Sequence, residues 1–178
     1  MRTRALTLIL CSFVLATSAS AQGLMLDLHR DAAGVQKKFI DLATAIPEAS
    51  YSWHPNGARS VGEVLLHISG ENYLIPSFLG TPIPAGVAIN AADMKSVEAY
   101  EGRKLTKAQI IAELQASFAH LHHALPETDA NLNEHIKFFG QDITRQTAVL
   151  GTITHLHEHL GQLIAYARSN NITPPWSR

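Results

Sequence analysis

"THLHEHLGQLIAYARS", residues 154–169, places Leu156, Leu160, Leu163 and Ala167 at alternating spacings of four and three. That interval follows one face of an α-helix. The stripe extends back through Ile153, and the pattern begins near Thr144. Asn170-Asn171 offers a left-handed cap, and Pro174-Pro175 forbids continuation. The same stretch holds three histidines within five positions, His155, His157 and His159. His155 and His159 lie one turn apart, and Gln162 and Tyr166 continue their row. Each member of the row precedes a member of the apolar stripe by one residue, about 100° round the helix. The row therefore borders the buried face. His157 points about 200° from His155, toward solvent or a flank.

Working outward, three more helical patterns follow. Leu24, Leu28, Ala32, Val35, Phe39, Leu42 and Ile46 form one face, ended by Pro47. Ser60 and Glu63 form a capping box, Val61, Leu65, Ile68, Asn72 and Ile75 continue a face, and Pro76 is expected to stop it. Thr106 and Gln109 open a third helix with Ile111, Leu114, Phe118, Leu121 and Leu125 as its stripe, closed by Pro126. The segment from Ser77 to Leu105 is rich in proline and glycine and reads as a loop, with a short helix near Ala91–Tyr100. Pro126–Ile143 reads as an extended crossing with a short β-like piece at Ile136–Phe139. The expected fold is all-α, a four-helix bundle with long crossover connections rather than a simple up-down-up-down bundle.

The first 21 residues stand apart. Arg2 and Arg4 precede the apolar run Ala5–Ala16, and Ala19-Ser20-Ala21 supplies small residues before Gln22. This is the pattern of a secretory signal peptide cleaved after Ala21, and the run is too short to span a membrane. It predicts a periplasmic or secreted protein with no membrane association after cleavage. Residues 22–178 form one domain by their length and 46% hydrophobic content. Cys11 is the only cysteine, so the mature chain has no thiolate ligand, disulfide or cysteine nucleophile. Removing Arg2 and Arg4 takes the formal charge from −1 to −3, and no basic run appears, which argues against a nucleic-acid partner.

Ten histidines in 178 residues make a chance pair at i,i+4 ordinary, so His155 and His159 alone decide nothing. His67 adds weight. It sits within the apolar run "EVLLHISGENY", in a row with Val64, Glu71 and Leu74 beside the second helix's stripe. Facing helices of a bundle are where metal sites are built. His67, His155 and His159 would give three neutral nitrogen ligands and an open fourth position, as in catalytic zinc sites. The other reading of His67 is a core histidine bonded to a neighbour. Glu71, one turn on, could orient an imidazole or act as a base, or be a solvated glutamate. Position 156 is Leu, so the HExxH of zinc proteases is absent, as are GxSxG, P-loop and dinucleotide motifs. His120, His122 and His123 fall in the last turn of the third helix, where a cation suits the dipole. His54 lies in a turn, and Trp53, Tyr73 and Tyr166 are candidate pocket walls.

"SVGEVLLHISGENY" and "FFGQDITRQTAVLGTITHLHEHLGQLIAYARSNNITPP" together resemble the DinB/YfiT-like superfamily. The matching residues are His67, then His155, His159, Gly161 and Gln162 as H-x-x-x-H-x-G-Q, then Arg168 and Pro174-Pro175. Two positions depart from many relatives: Glu158 replaces a first histidine and Leu160 an arginine. The resemblance implies a divalent metal, zinc or nickel, on His67, His155 and His159, and frequent homodimers. It also implies metal-dependent chemistry on a small-molecule substrate, including transfers that use low-molecular-weight thiols such as bacillithiol or mycothiol. The expectation is an exported metal-dependent hydrolase or thiol or group transferase with Glu71 and Gln162 as candidate catalytic residues. The alternative is a non-catalytic metal- or ligand-binding module.

Overall fold

The computed structural model describes residues 23–127 and 130–177. The expected signal peptide, residues 1–21, lies outside the described residues. Helix α1 runs over Arg2–Ala45, of which residues 23–45 are described. It is followed by α2 (Val61–Phe78), the short α3 (Met94–Glu101), α4 (Lys107–Ala124) and α5 (Arg145–Ser169). A hairpin of β1 (His135–Phe138) and β2 (Gln141–Thr144) precedes α5. Among the described residues no helix is long and apolar enough to cross a membrane.

The bundle's neighbouring pairs are α1 with α4, α4 with α2, α2 with α5, and α5 with α1. Consecutive helices α1 and α2 therefore lie across the diagonal. A simple up-down bundle sets them side by side. The connection from Ile46 to Ser60 makes this crossing, and the longer one between α2 and α4 carries α3 against α2. This crossover topology places α2 next to α5, which is what later brings their histidines together.

The core forms where the stripes meet. Phe39 of α1 and Phe118 of α4 lie with ring centroids 5.8 Å apart, in one core cluster with Leu65, Leu114, Leu156 and Leu163. Each such side chain contributes roughly 1.5–3 kcal/mol by leaving water. On α1 the buried face starts at Met25, with Leu24 and Leu28 only half-buried, and on α4 Ile110 is buried while Ile111 is half-buried. Helix α2 is enclosed on nearly every side, with fourteen of its eighteen residues buried. A helix apolar all round belongs at the centre. A smaller cluster of Tyr73, Leu74, Ile89, Val97 and Tyr100 seals α3 onto α2.

The caps explain where the helices start and stop. Ser60 Oγ accepts from Glu63 N–H while Glu63 Oε2 accepts from Ser60 N–H, and Thr106 and Gln109 repeat the box on α4. Pro76 does not stop α2, contrary to expectation. The helix continues to Phe78 and ends at Gly80, whose φ of +98° suits glycine. Thr81 N–H bonds to Pro76 O at 2.9 Å and Gly80 N–H to Ser77 O at 3.4 Å, closing a Schellman motif. Asn171, at φ +60°, ends α5 the same way, with Ile172 N–H bonded to Ala167 O at 2.9 Å.

The β-like piece expected at Ile136–Phe139 is half of a hairpin. Phe138 pairs with Gln141 around Phe139 (φ +47°) and Gly140 (φ +80°), a two-residue turn with both dihedrals positive. Phe139 is an unusual residue there. Its ring packs on Phe78 at 4.7 Å and Phe138 at 4.8 Å, which offsets the backbone cost. The second strand, "QDIT", is too short and polar to show an alternating pattern. Its last residue, Thr144, also caps α5 by accepting from Thr147 N–H.

Candidate metal centre

Helix α5 sets His155 and His159 on one side, half-buried, as their spacing requires. Helix α2 brings His67, 8% exposed, against them. The ring centroids of His67 lie 5.3 Å from those of His155 and 4.6 Å from those of His159, and His155 and His159 are 4.5 Å apart. One ring nitrogen from each lies within 4.8 Å of the others, a group that could hold a metal ion.

The hydrogen bonds show which nitrogens are available. Glu101 Oε1 lies 2.7 Å from His67 Nδ1. A carboxylate only accepts, so Nδ1 carries a proton and Nε2 is the ring nitrogen left for another partner. His159 Nδ1 donates to Gln162 Oε1 at 2.8 Å, and Gln162 Nε2 donates to Tyr166 Oη at 2.7 Å. The Nε2 of His159 is therefore also free to ligate. His155 Nε2 is buried without a hydrogen-bond partner. A buried polar nitrogen left unpaired is costly unless something completes it. Three imidazoles, each with one ring nitrogen unspent, suit a divalent cation.

The electrostatics favour the neutral forms of His155 and His159. Burial, followed by repulsion from His159 and His67, pushes the His155 pKa from 6.5 down to about 4. Burial also lowers that of His159, against the hydrogen bond that His159 donates to Gln162. Burial raises the pKa of Glu71, on α2 one turn beyond His67, with the Glu101 charge adding to the rise. Burial works the same way on Glu101. There the hydrogen bond from His67 and the nearby Arg59 cation outweigh it and hold Glu101 low.

Glu101 and Arg59 are the residues that sequence reasoning missed. Glu101, not Glu71, bonds to His67, and Arg59 pairs with the far oxygen of Glu101 at 3.1 Å. Glu71 does share a cluster with His67 and Glu101, their ligand atoms mutually within 4.8 Å. No periodicity could have marked Glu101. It closes a short helix inside a loop, 34 residues from its partner.

The sequence profile of the DinB superfamily matches residues 33–163, most of the chain. The chain belongs to the DinB superfamily. The match runs from α1 into α5 and includes His67, His155 and His159. The fold is similar to the crystal structure of a DinB-like protein from Bacillus cereus ATCC 10987. The TM-score is 0.63 at 19% identity, covering 79% of this chain and 89% of that one. No curated protein matches closely enough to count.

The other marked residues of this DinB superfamily chain fall elsewhere. His157 is exposed, as its angle predicts, and pairs with Asp31 of α1 at 2.8 Å. Trp53 packs edge-on to Tyr166 at 5.3 Å, beside the Gln162 hydrogen bond. Tyr73 belongs to the cluster under α3. His54 is exposed and lines a cleft of about 500 Å³ with Tyr51, Ser60, Glu63 and Lys104, which does not include the three histidines.

Proposed function

We propose that this DinB superfamily protein binds one divalent metal ion, zinc or nickel, through His67, His155 and His159. It uses the ion as a metal-dependent hydrolase or thiol or group transferase acting on a small-molecule substrate. One observation carries the reading: three imidazoles from two helices present unspent nitrogens to one point, one of them buried without a partner. Three protein ligands leave a coordination position for a reactant, whereas structural zinc sites are closed by four.

A divalent ion held there supplies Lewis acidity, which makes a nucleophile of water or a thiol near neutral pH and polarises the group under attack. The chain's own residues do the rest. Burial keeps His155 and His159 neutral, ready to ligate. Gln162, tied to Tyr166, holds the His159 ring at Nδ1 and so directs Nε2 toward the shared point. Glu71 is the candidate base, since a carboxyl raised by burial can take and return a proton closer to neutral pH. The same reading takes residues 1–21 as a cleaved secretory signal, with the mature chain periplasmic or secreted and homodimeric. The support is the Arg2/Arg4, apolar-run and Ala19-Ser20-Ala21 sequence and the family resemblance.

The test is elemental analysis of protein purified without chelator, followed by a screen of hydrolytic and thiol-transfer substrates on the loaded protein. One ion per chain, lost in His155→Ala, is the expected result. Stoichiometric metal in both His67→Ala and His155→Ala would remove the assignment. Metal binding with no turnover, and unfolding on chelation, would favour a module whose ion only joins two helices.

A further inference from the structure

Two of the three candidate ligands have their Nδ1 held by a neighbour, but by different chemistry. His159 is held by a neutral amide from its own helix. His67 is held by a carboxylate from another element, Glu101, with only 10% and 14% of the two side chains exposed. The second oxygen of Glu101 is engaged as well, receiving Arg59 Nε and Nη2 at 3.1 Å each. The carboxylate is thus fixed at both oxygens, between a cation at the surface and an imidazole inside.

The fold takes trouble to deliver Glu101 to this spot. Its neighbour Tyr100 packs against α2 at Gly70, where an added Cβ would come within 3.3 Å of ring atom Cδ1. Gly70 is one turn beyond His67, so the tyrosine's close approach brings the next residue onto the histidine. Tyr100 Oη donates to Glu113 Oε2 on α4 at 2.7 Å, and Arg103 Nη1 donates to Glu113 Oε1 at 3.2 Å. The Arg103 guanidinium sits 3.7 Å above the Tyr100 ring. Three contacts therefore pin the end of α3 while Glu101 itself is left to face His67.

We infer that Glu101 is a positioning residue: it fixes the Nδ1–H tautomer and ring orientation of His67, with Arg59 holding its carboxylate, and so sets the affinity of the three-histidine site for a divalent ion. This rests on the three-histidine reading. The physical reason is that a negative acceptor at Nδ1 makes the opposite nitrogen a stronger donor to metal and removes the competing tautomer. The crossover helix α3 is then part of the site, although it supplies no ligand.

Two measurements test this. The first is the histidine tautomer of the metal-free full chain, read from long-range nitrogen–proton NMR correlations. His67 is expected in the Nδ1–H form in the wild type; an Nε2–H or averaged signal overturns the inference whatever the metal does. The second is Zn²⁺ affinity by competition with a chromophoric chelator. Glu101→Gln should weaken binding about 10- to 100-fold at unchanged stoichiometry, with part of the loss recovered in Glu101→Asp. Arg59→Ala should weaken it less, and serves as the second variant if Glu101→Gln does not fold. Wild-type affinity in either folded variant shows that the Glu101 pair only supports the fold, with the three-histidine reading intact. A wild type that takes up no Zn²⁺ overturns that reading, and this inference with it.

Discussion

Helices α4 and α5 are equally rich in histidine. The first ends in His120, His122 and His123, and the second carries His155, His157 and His159. On α4 the three imidazoles go separate ways. His122 Nε2 meets Gln36 Oε1 of α1 at 2.8 Å, His120 lies beside Tyr73 with centroids 5.5 Å apart, and His123 is exposed. On α5 two of the three turn to one place and meet His67 from a second helix. Burial lowers the pKa of His120 and His122 as it does for His155 and His159, so depressed basicity does not separate the clusters. It also disfavours the cationic form that the end of α4 would otherwise welcome. What separates the clusters is convergence. Among the described residues, no histidine or carboxylate from another element joins the α4 set in a ligand group.

The sharpest way to break this comparison is to delete ligands on each side. His67→Ala should lower metal affinity by more than about 100-fold, beyond the range of changes outside the ligand set, while His120→Ala and His123→Ala leave stoichiometry untouched. Equal losses from both clusters would show the distinction to be false. A smaller effect is expected from Gln162→Ala, about 10-fold in affinity, because His159 loses its orienting acceptor but not its ligating nitrogen.

Acid titration sharpens the contrast further. His155 titrates at about 4 in the fold against 6.5 in the unfolded chain. Its contribution is therefore fully present above pH 6.5. It is lost as pH falls from 6.5 toward 4, because the unfolded chain takes up a proton that the native site refuses. Urea unfolding of metal-free protein should show stability falling across this window, with a shallower slope in His155→Gln. An unchanged slope would mean that the site is more hydrated than its burial indicates. The least effect belongs to His122→Ala. It should cost about 1 kcal/mol of stability through its lost bond to Gln36, read by the same urea titration, and leave metal binding unchanged.

Much of the fold is legible from short-range signals. The stripe Ile153, Leu156, Leu160, Leu163 and Ala167 is buried throughout, and both capping boxes form as written. The misses have identifiable causes. Pro76 reads as a stop, but a proline in a last turn costs little when Gly80 can close the Schellman motif beyond it. The strand "QDIT" is hidden because four residues carry too little alternation to register. At the site, the α5 pair and Gln162 could be placed from helix geometry alone. His67 could only be nominated as a partner, and Glu101 and Arg59 could not be found.

The sequence by itself determined which faces of the helices are apolar, where α4 and α5 begin and end, and that His155 and His159 share a row while His157 does not. These follow from the 3.6-residue repeat and from capping bonds that reach only three or four residues along the chain. The tertiary structure alone decided that α1 and α2 take the diagonal, that α2 therefore lies against α5, and that α3 folds back to put Glu101 on His67. Those outcomes depend on how whole apolar faces pack and on the close approach of Tyr100 at Gly70, contacts between residues far apart in sequence that no local period encodes.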